Sequence, residues 1–290
     1  MQKQNKIKIN LVCLVCICLF FIVVSCSGKD EDNKNINHAD INIQTNSTNI
    51  DDNVVSRDTI TEYSIEIIRA LPHRKDAFTQ GLVYDAGVLY EGTGLEGNSK
   101  LEKIDANNGK ILKIVNLPTE YFGEGIALLN GKIYQLTWHD QKCLVYDMKS
   151  MKKISEFDYF GEGWGLSNND SLLILSDGTS TIKFIEPNSF SVVSTIQVTY
   201  NNKLLNNINE LELVGDKLFA NIWGSDIIVI IDIITSKVVG QIDISSLRPL
   251  VSDSPQAEVS NGIAYNAKKD LFYFTGKNWS KIFEVKIKPN

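Results

Sequence analysis

A short motif returns five times along this 290-residue chain, and its spacing restricts the fold more than any other feature. The five copies are Phe78-Thr-Gln-Gly-Leu-Val-Tyr, Phe122-Gly-Glu-Gly-Ile-Ala-Leu, Glu162-Gly-Trp-Gly-Leu, Ile208-Asn-Glu-Leu-Glu-Leu and Ser260-Asn-Gly-Ile-Ala-Tyr. Their anchors, Gln80, Glu124, Trp164, Asn209 and Asn261, lie 44, 40, 45 and 52 residues apart. From Thr61 onward the chain consists of short Val, Ile, Leu, Tyr and Phe runs broken by Gly, Asn or Asp, with no sustained helical period. That pattern predicts an all-β chain. A period of about 40–50 residues with several strands per repeat is the signature of a β-propeller. Four strands per repeat, as in the continuation through Cys143–Asp147 and Lys153–Asp158, give five blades. The last repeat falls one strand short, with only Asn261–Tyr265, Leu271–Phe274 and Ile282–Ile287 before Asn290. The unpaired alternating run Glu62–Arg69 ahead of the first repeat is predicted to complete it. Closure of that kind removes two exposed sheet edges.

In a propeller the innermost strands line the axis, so the anchors should converge there. They differ in chemistry, whereas a purely structural ring would repeat one packing residue. Diversity at equivalent positions is what a site grafted onto a repeat looks like. A second ring sits fourteen residues further on, at Gly94, Trp138, Gly178 and Trp223, with Gly276-Lys277 at the equivalent place in the last repeat. Three of the four tryptophans, Trp138, Trp164 and Trp223, are thereby expected at one channel mouth beside Glu124 and Lys277. Glu124 lies between two glycines, where backbone can approach a ligand closely. Taken singly, each has a plainer reading: blade packing for a tryptophan, a solvated charge for Lys277, backbone partners for Gln80, Asn209 and Asn261. Asp177 reads as turn chemistry, and His139 and Cys143 as structural.

Composition narrows the function. With 29 Lys and Arg against 35 Asp and Glu, the net charge is −6 and the sequence pI about 5.2, which argues against nucleic-acid binding. Three histidines, His38, His73 and His139, are too few for an imidazole-rich zinc site. Lys3, Lys6 and Lys8 precede the apolar run Leu11–Val24, which ends in Val23-Val24-Ser25-Cys26. This reads as a signal segment over 1–25 with a lipobox whose Cys26 takes the lipid. Cleavage there removes three lysines and no acids, which takes the net charge to −9. The Asn-, Asp-, Ser- and Thr-rich stretch 26–60 cannot build a core and reads as a solvated tether, leaving 61–290 as the folded domain. The expected location is that of an exported bacterial lipoprotein, periplasmic or on the outer-membrane surface, touching membrane through lipid alone and otherwise monomeric.

Phe78-Thr-Gln-Gly-Leu, Thr93-Gly-Leu, Tyr121-Phe-Gly-Glu-Gly, Gly163-Trp-Gly-Leu, Ser176-Asp-Gly-Thr, Asn209-Glu-Leu-Glu, Ala220-Asn-Ile-Trp, Asn261-Gly-Ile-Ala and Thr275-Gly-Lys follow in order. Together they resemble the plant and bacterial glutaminyl-peptide cyclotransferases, from about Tyr63 to Ile287. The resemblance implies a five-bladed propeller that works without metal or other cofactor. It implies conversion of N-terminal glutamine on peptides to pyroglutamate with loss of ammonia. The family's acid/base glutamate then falls on Glu124. Its aromatic pocket falls on Phe78, Phe122, Trp138, Trp164 and Trp223, and its polar contacts on Gln80, Asn209 and Lys277. Glu102 departs from the pattern, standing where a basic residue is expected, and a place at the outer rim would put the peptide preference in question.

Two other functions fit parts of the pattern. A propeller hydrolase or lactonase could bind Ca²⁺ through Glu124, Asn209 and Asn261, although one carboxylate and two amides match a divalent charge poorly. A non-catalytic surface module could bind peptide or glycan on the aromatic channel.

Overall fold

Alternating apolar runs separated by turn residues form sheets throughout the region described by the computed structural model, residues 59–290. The signal segment, Cys26 and the tether up to residue 58 lie outside the described residues. β1 (Thr61–Pro72) comes first. β2 (Thr79–Asp85), β3 (Val88–Thr93), β4 (Lys100–Asp105) and β5 (Ile111–Asn116) form a four-stranded sheet in that order. A second sheet follows from β6 (Gly123–Leu129), β7 (Lys132–Thr137), β8 (Lys142–Asp147) and β9 (Lys153–Asp158). A third consists of β10 (Leu166–Asn168), β11 (Leu173–Ser176), β12 (Thr181–Glu186) and β13 (Ser191–Gln197).

After the short pair β14 (Thr199–Tyr200) and β15 (Lys203–Leu204) come β16 (Ile208–Val214), β17 (Lys217–Ile222), β18 (Ile227–Asp232) and β19 (Lys237–Asp243). A 3₁₀ turn over Ser245–Val251 precedes β20 (Ser260–Asn266), β21 (Leu271–Gly276) and β22 (Lys281–Pro289). The order of this last sheet is β16-β17-β18-β19-β1-β22-β21-β20. The described chain is thus all-β with almost no helix.

The N-terminal strand pairs where the deficit of strands predicted. β1 runs antiparallel to β22 from Tyr63 opposite Pro289 to Pro72 opposite Lys281, and only Thr61, Glu62 and Tyr63 pair in parallel with β19. Arg69 ties this closing strand to its surroundings. It pairs with Glu284 on β22, and its guanidinium donates to Asn107 O at 2.7 Å and Ala106 O at 2.8 Å in the turn between β4 and β5. β2, β6, β10, β16 and β20 contact one another in sequence, and β20 returns to β2, so the first strands close a ring.

The core lies between neighbouring sheets. Leu129, Tyr134, Leu136 and Val145 of the second sheet pack with Leu166, Leu175, Ile185 and Phe190 of the third. Cys143, the only cysteine among the described residues, sits in the same cluster, and burial pushes its thiol up, as a structural role requires.

A truncated protein starting at Phe78 should expose an edge of β22 and β19, and so aggregate or lose cooperative unfolding. Size-exclusion chromatography with thermal unfolding tests this. A monomer with unchanged Tm would overturn the closing role of β1.

Candidate active site

The anchors reach the centre of the ring through a local irregularity. Between the first and second strands of four repeats the register slips, at Thr79/Gly81, Gly123/Ile126, Ile208/Leu211 and Ser260/Ile263. Each slip is a β-bulge, which takes a residue out of the ladder and re-aims its side chain. The residues freed are Gln80, Glu124, Asn209 and Asn261, all buried. Glycines beside them let the first strands crowd together. A Cβ on Gly81 would fall 2.5 Å from Ile126 N, on Gly125 2.6 Å from Leu166 N, and on Gly165 2.0 Å from Asn209 O. In the fourth repeat the residue after the anchor is Glu210, which spans the centre. Its Oε1 accepts from Leu82 N at 3.1 Å and its Oε2 from Ile263 N at 2.8 Å.

The second ring is set by a repeated backbone bond. Gly94, Trp138, Trp223 and Lys277 donate N–H to Phe78 O, Phe122 O, Asn207 O and Val259 O, at 2.8, 2.9, 2.9 and 3.0 Å. Lys277 rather than Gly276 therefore holds the equivalent place. With the anchors, these residues enclose a cavity of about 580 Å³ lined by Phe78, Gln80, Phe122, Glu124, Trp138, Glu162, Trp164, Asn209, Trp223 and Lys277. All nine residues selected from the sequence thus meet in one place. The rings form two stretches. Phe78 meets Phe122 edge-on at 6.1 Å and Phe122 meets Trp138 at 5.5 Å, while Trp164 meets Trp223 at 6.4 Å. Two second-ring glycines make room for this wall: a Cβ on Gly94 would lie 2.3 Å from the Phe122 ring, and one on Gly178 2.7 Å from Trp164.

Electrostatically the cavity holds one unusual carboxyl. Glu124 is 4% exposed and accepts from Gln80 Nε2 at 3.0 Å on Oε1. Burial raises its pKa well above the usual carboxylate range; the charge of Lys277 opposes that rise and the charge of Glu162 adds to it. Lys277 is itself buried, with Nζ 4.6 Å from the Phe78 ring centroid, and desolvation lowers its pKa. Gln80 is held in turn by Asn261, whose Nδ2 donates to Gln80 Oε1 at 3.1 Å and Thr79 O at 3.0 Å. Asn209 Oδ1 is buried with no partner within the protein.

Several sequence readings change. Asn261 does not line the cavity itself but holds Gln80 from the side away from Glu124. Glu102 is absent from the cavity and the rim. It is buried beside a separate space of about 200 Å³ with His73 and Arg74, and burial pushes it up to about 7. A basic side chain there would face Arg74, which pairs with Glu102, so the departure concerns this ion cluster and not the peptide. His139, read as structural, stacks on Trp138 with ring centroids 3.7 Å apart. The reading of Lys277 as a solvated charge is likewise replaced by a buried one. Asp177 does serve a turn, accepting from Thr179 N at 3.1 Å. Glu162 was missed as a site residue. The signal available was the recurrence of Phe122-Gly-Glu-Gly as Phe160-Gly-Glu-Gly.

A family model described as glutamine cyclotransferase matches residues 39–287. The chain belongs to that family. It is 36% identical over 228 residues to a glutaminyl-peptide cyclotransferase of Arabidopsis thaliana, covering 77% of this chain and 71% of that protein. The crystal structure of Myxococcus xanthus glutaminyl cyclase superposes with a TM-score of 0.74 at 34% identity, covering 80% of this chain and 99% of that one.

Gly94→Ala should leave the fold intact but push the Phe122 ring into the cavity, since the ring is the nearest obstacle to the new Cβ. An increase in KM of roughly tenfold is expected, the scale of about 1.4 kcal/mol of lost binding. Steady-state kinetics on a Gln-initiated peptide check this, with a wild-type KM counting against the packing argument.

Proposed function

We infer that the chain converts the N-terminal glutamine of peptides into pyroglutamate and ammonia, with Glu124 as proton shuttle, on a five-bladed propeller. Family membership supports the reaction. The observation that carries the site is the buried Glu124 carboxyl facing a cavity walled by aromatic rings. The strand order supports the blades: three separate four-stranded sheets, and a longer one divisible where β19 meets β1.

Cyclisation joins the α-nitrogen to the side-chain amide carbon and breaks the bond from that carbon to the amide nitrogen, which leaves as ammonia. Both reacting groups belong to one residue, so holding the folded-back conformer supplies much of the acceleration. The aromatic wall does the holding. The α-nitrogen loses one proton and the departing nitrogen gains one, so a single carboxyl group serves both ends. A substrate arriving as ammonium beside a carboxylate carries the same proton count as an amine beside a carboxylic acid. Burial of Glu124 favours the second arrangement, in which the nucleophile is free. Lys277 and the amide of Asn209 are placed to stabilise the oxygen that becomes negative in the tetrahedral intermediate. Gln80 is already engaged with Glu124 and Asn261, and acts by fixing the carboxyl.

Glu124→Gln preserves size but carries no exchangeable carboxyl proton. Its kcat should fall by roughly 10²–10⁴, with KM little changed. Ammonia release from a Gln-Xaa dipeptide, measured with EDTA present, reads the result. Near-wild-type turnover would move the shuttle elsewhere, and loss of wild-type activity in EDTA would favour a metal-dependent enzyme.

The same reading makes 61–290 a monomeric catalytic domain, tethered by 26–60 to a lipid on Cys26 after removal of 1–25, in the periplasm or on the outer-membrane surface. Cys26→Ser should then appear in the soluble fraction with unaltered kinetics. Continued partition with membranes after a high-salt wash would count against the lipid anchor.

A further inference from the structure

Between the two aromatic stretches of the cavity wall stands one side chain, Glu162. Its Oε2 accepts from Trp138 Nε1 at 2.8 Å and from Trp164 Nε1 at 2.9 Å. Trp138 ends the stretch that starts at Phe78, and Trp164 begins the stretch that ends at Trp223. No ring contact joins the two tryptophans to each other among the described residues, so the carboxylate bridges them. Indole has one donor and no acceptor, and each of these indoles gives that donor to the same oxygen. Hydrogen bonds to a charged acceptor are the stronger kind, and two of them on one oxygen select one orientation of each ring over its alternatives.

We propose that Glu162 is a positioning residue for cyclisation, fixing the angle between Trp138 and Trp164 and setting a charge on the same cavity wall as Glu124. This rests on the cyclisation reading above. The side chain is 41% exposed at the mouth, and its Oε1 lies 3.6 Å from His139 Nδ1. The indole bonds, first that of Trp164, hold its pKa below the ordinary value, so the group stays ionised. Glu162 faces His139, Asp177 and Glu124. Glu124 faces Glu162, Lys277 and the phenol of Tyr159. Of these, Glu162 is the fixed negative charge that favours the protonated form of Glu124. Lys277 and Glu162 thus act on one carboxyl with opposite sign, and removing either should displace its titration.

Two variants separate the roles. Glu162→Ala removes both the indole acceptor and the charge, whereas Glu162→Gln keeps an acceptor oxygen and loses only the charge. In Glu162→Ala, kcat/KM for ammonia release from a Gln-Xaa dipeptide should drop by about 10²-fold, the scale of a misplacement near 1 Å. KM should rise, and the tryptophan near-ultraviolet circular dichroism should change without any substrate. Glu162→Gln should recover the dichroism and most of the KM, while the Glu124 limb of the kcat/KM–pH profile moves to lower pH. Should Glu162→Ala fail to fold, Glu162→Asp keeps the charge on a shorter arm, and a changed indole signal with an unmoved limb carries the same contrast. Wild-type dichroism together with wild-type kcat/KM in Glu162→Ala, or in Glu162→Asp in its place, would overturn the positioning role, and an unmoved limb in Glu162→Gln would overturn the charge role. A wild-type protein that released no ammonia would sink the cyclisation reading instead, and the substrate-free dichroism would still decide whether Glu162 sets the indoles.

Discussion

The close approach of the first strands at the centre of the ring is the constraint on which everything else depends. Gly81, Gly125 and Gly165 face backbone atoms of the next repeat at distances that exclude a Cβ. Because the strands are that close, three of the four bulged residues, Gln80, Glu124 and Asn209, turn into the cavity, and the fourth, Asn261, holds Gln80 from behind. Glu210 shows the same constraint met differently. Its carboxyl group crosses to the backbone of two other repeats, where burial raises its pKa and the two N–H groups it accepts from oppose that rise. The glycines and Glu210 together decide how tightly the ring closes, and so how far apart the side chains of the cavity can lie.

Within that geometry three ionisable groups acquire different states from different surroundings. Glu124 sits among aromatic rings with a single amide donor, and desolvation prevails over the attraction of Lys277. Glu162 lies nearer the solvent and receives two indole N–H groups, so its charge is favoured. Lys277 is walled in against Phe78, and desolvation outweighs the pull of Glu124 and Glu258. Two carboxyl groups on one cavity wall thus have their proton affinities pushed in opposite directions by their surroundings, the pattern from which acid/base roles are read.

Much of this was legible in the chain before the fold was known, because repeats convert sequence position into spatial position. Once Gln80, Glu124, Trp164 and Asn209 are aligned, their convergence follows, and the second ring follows from the same period. The missing strand was equally legible, since a deficit at one end and a surplus at the other have one remedy. What escaped was information perpendicular to the repeat. Glu162 lies two residues from its own anchor, and only the register of neighbouring sheets brings it under the indole of Trp138. The bulges leave no mark on a pattern of apolar residues. On β4 both Leu101 and Glu102 are buried, because the strand is covered on both faces and alternation no longer tells inside from outside. Lys277 resembled a surface charge because the rings that bury it come from distant parts of the chain.

The two ends of the ring divide their chemistry for a reason that lies in the connections. At the end away from Glu124, a polar hollow of about 490 Å³ is lined by the last residues of the first strands and the turns that follow them. Those turns are tight hairpins. Asn130 and Gly131 have φ of 52° and 71°, Asp170 has 66° and Gly215 62°, all in the left-handed region that Asn, Asp and Gly tolerate best. Positions committed to such turns cannot hold large aromatic side chains without strain. At the Glu124 end the chain instead enters the first strand from a preceding blade and leaves the second toward the third, through longer loops whose left-handed positions, among them Gly178, Asn207, Gly224 and Asn278, are separate from those of the aromatic side chains. Phe78, Phe122, Trp138 and Trp223 occupy those loop positions. The site therefore forms at the mouth where the backbone leaves side-chain identity open, and the opposite mouth is confined to the residues that turn the chain.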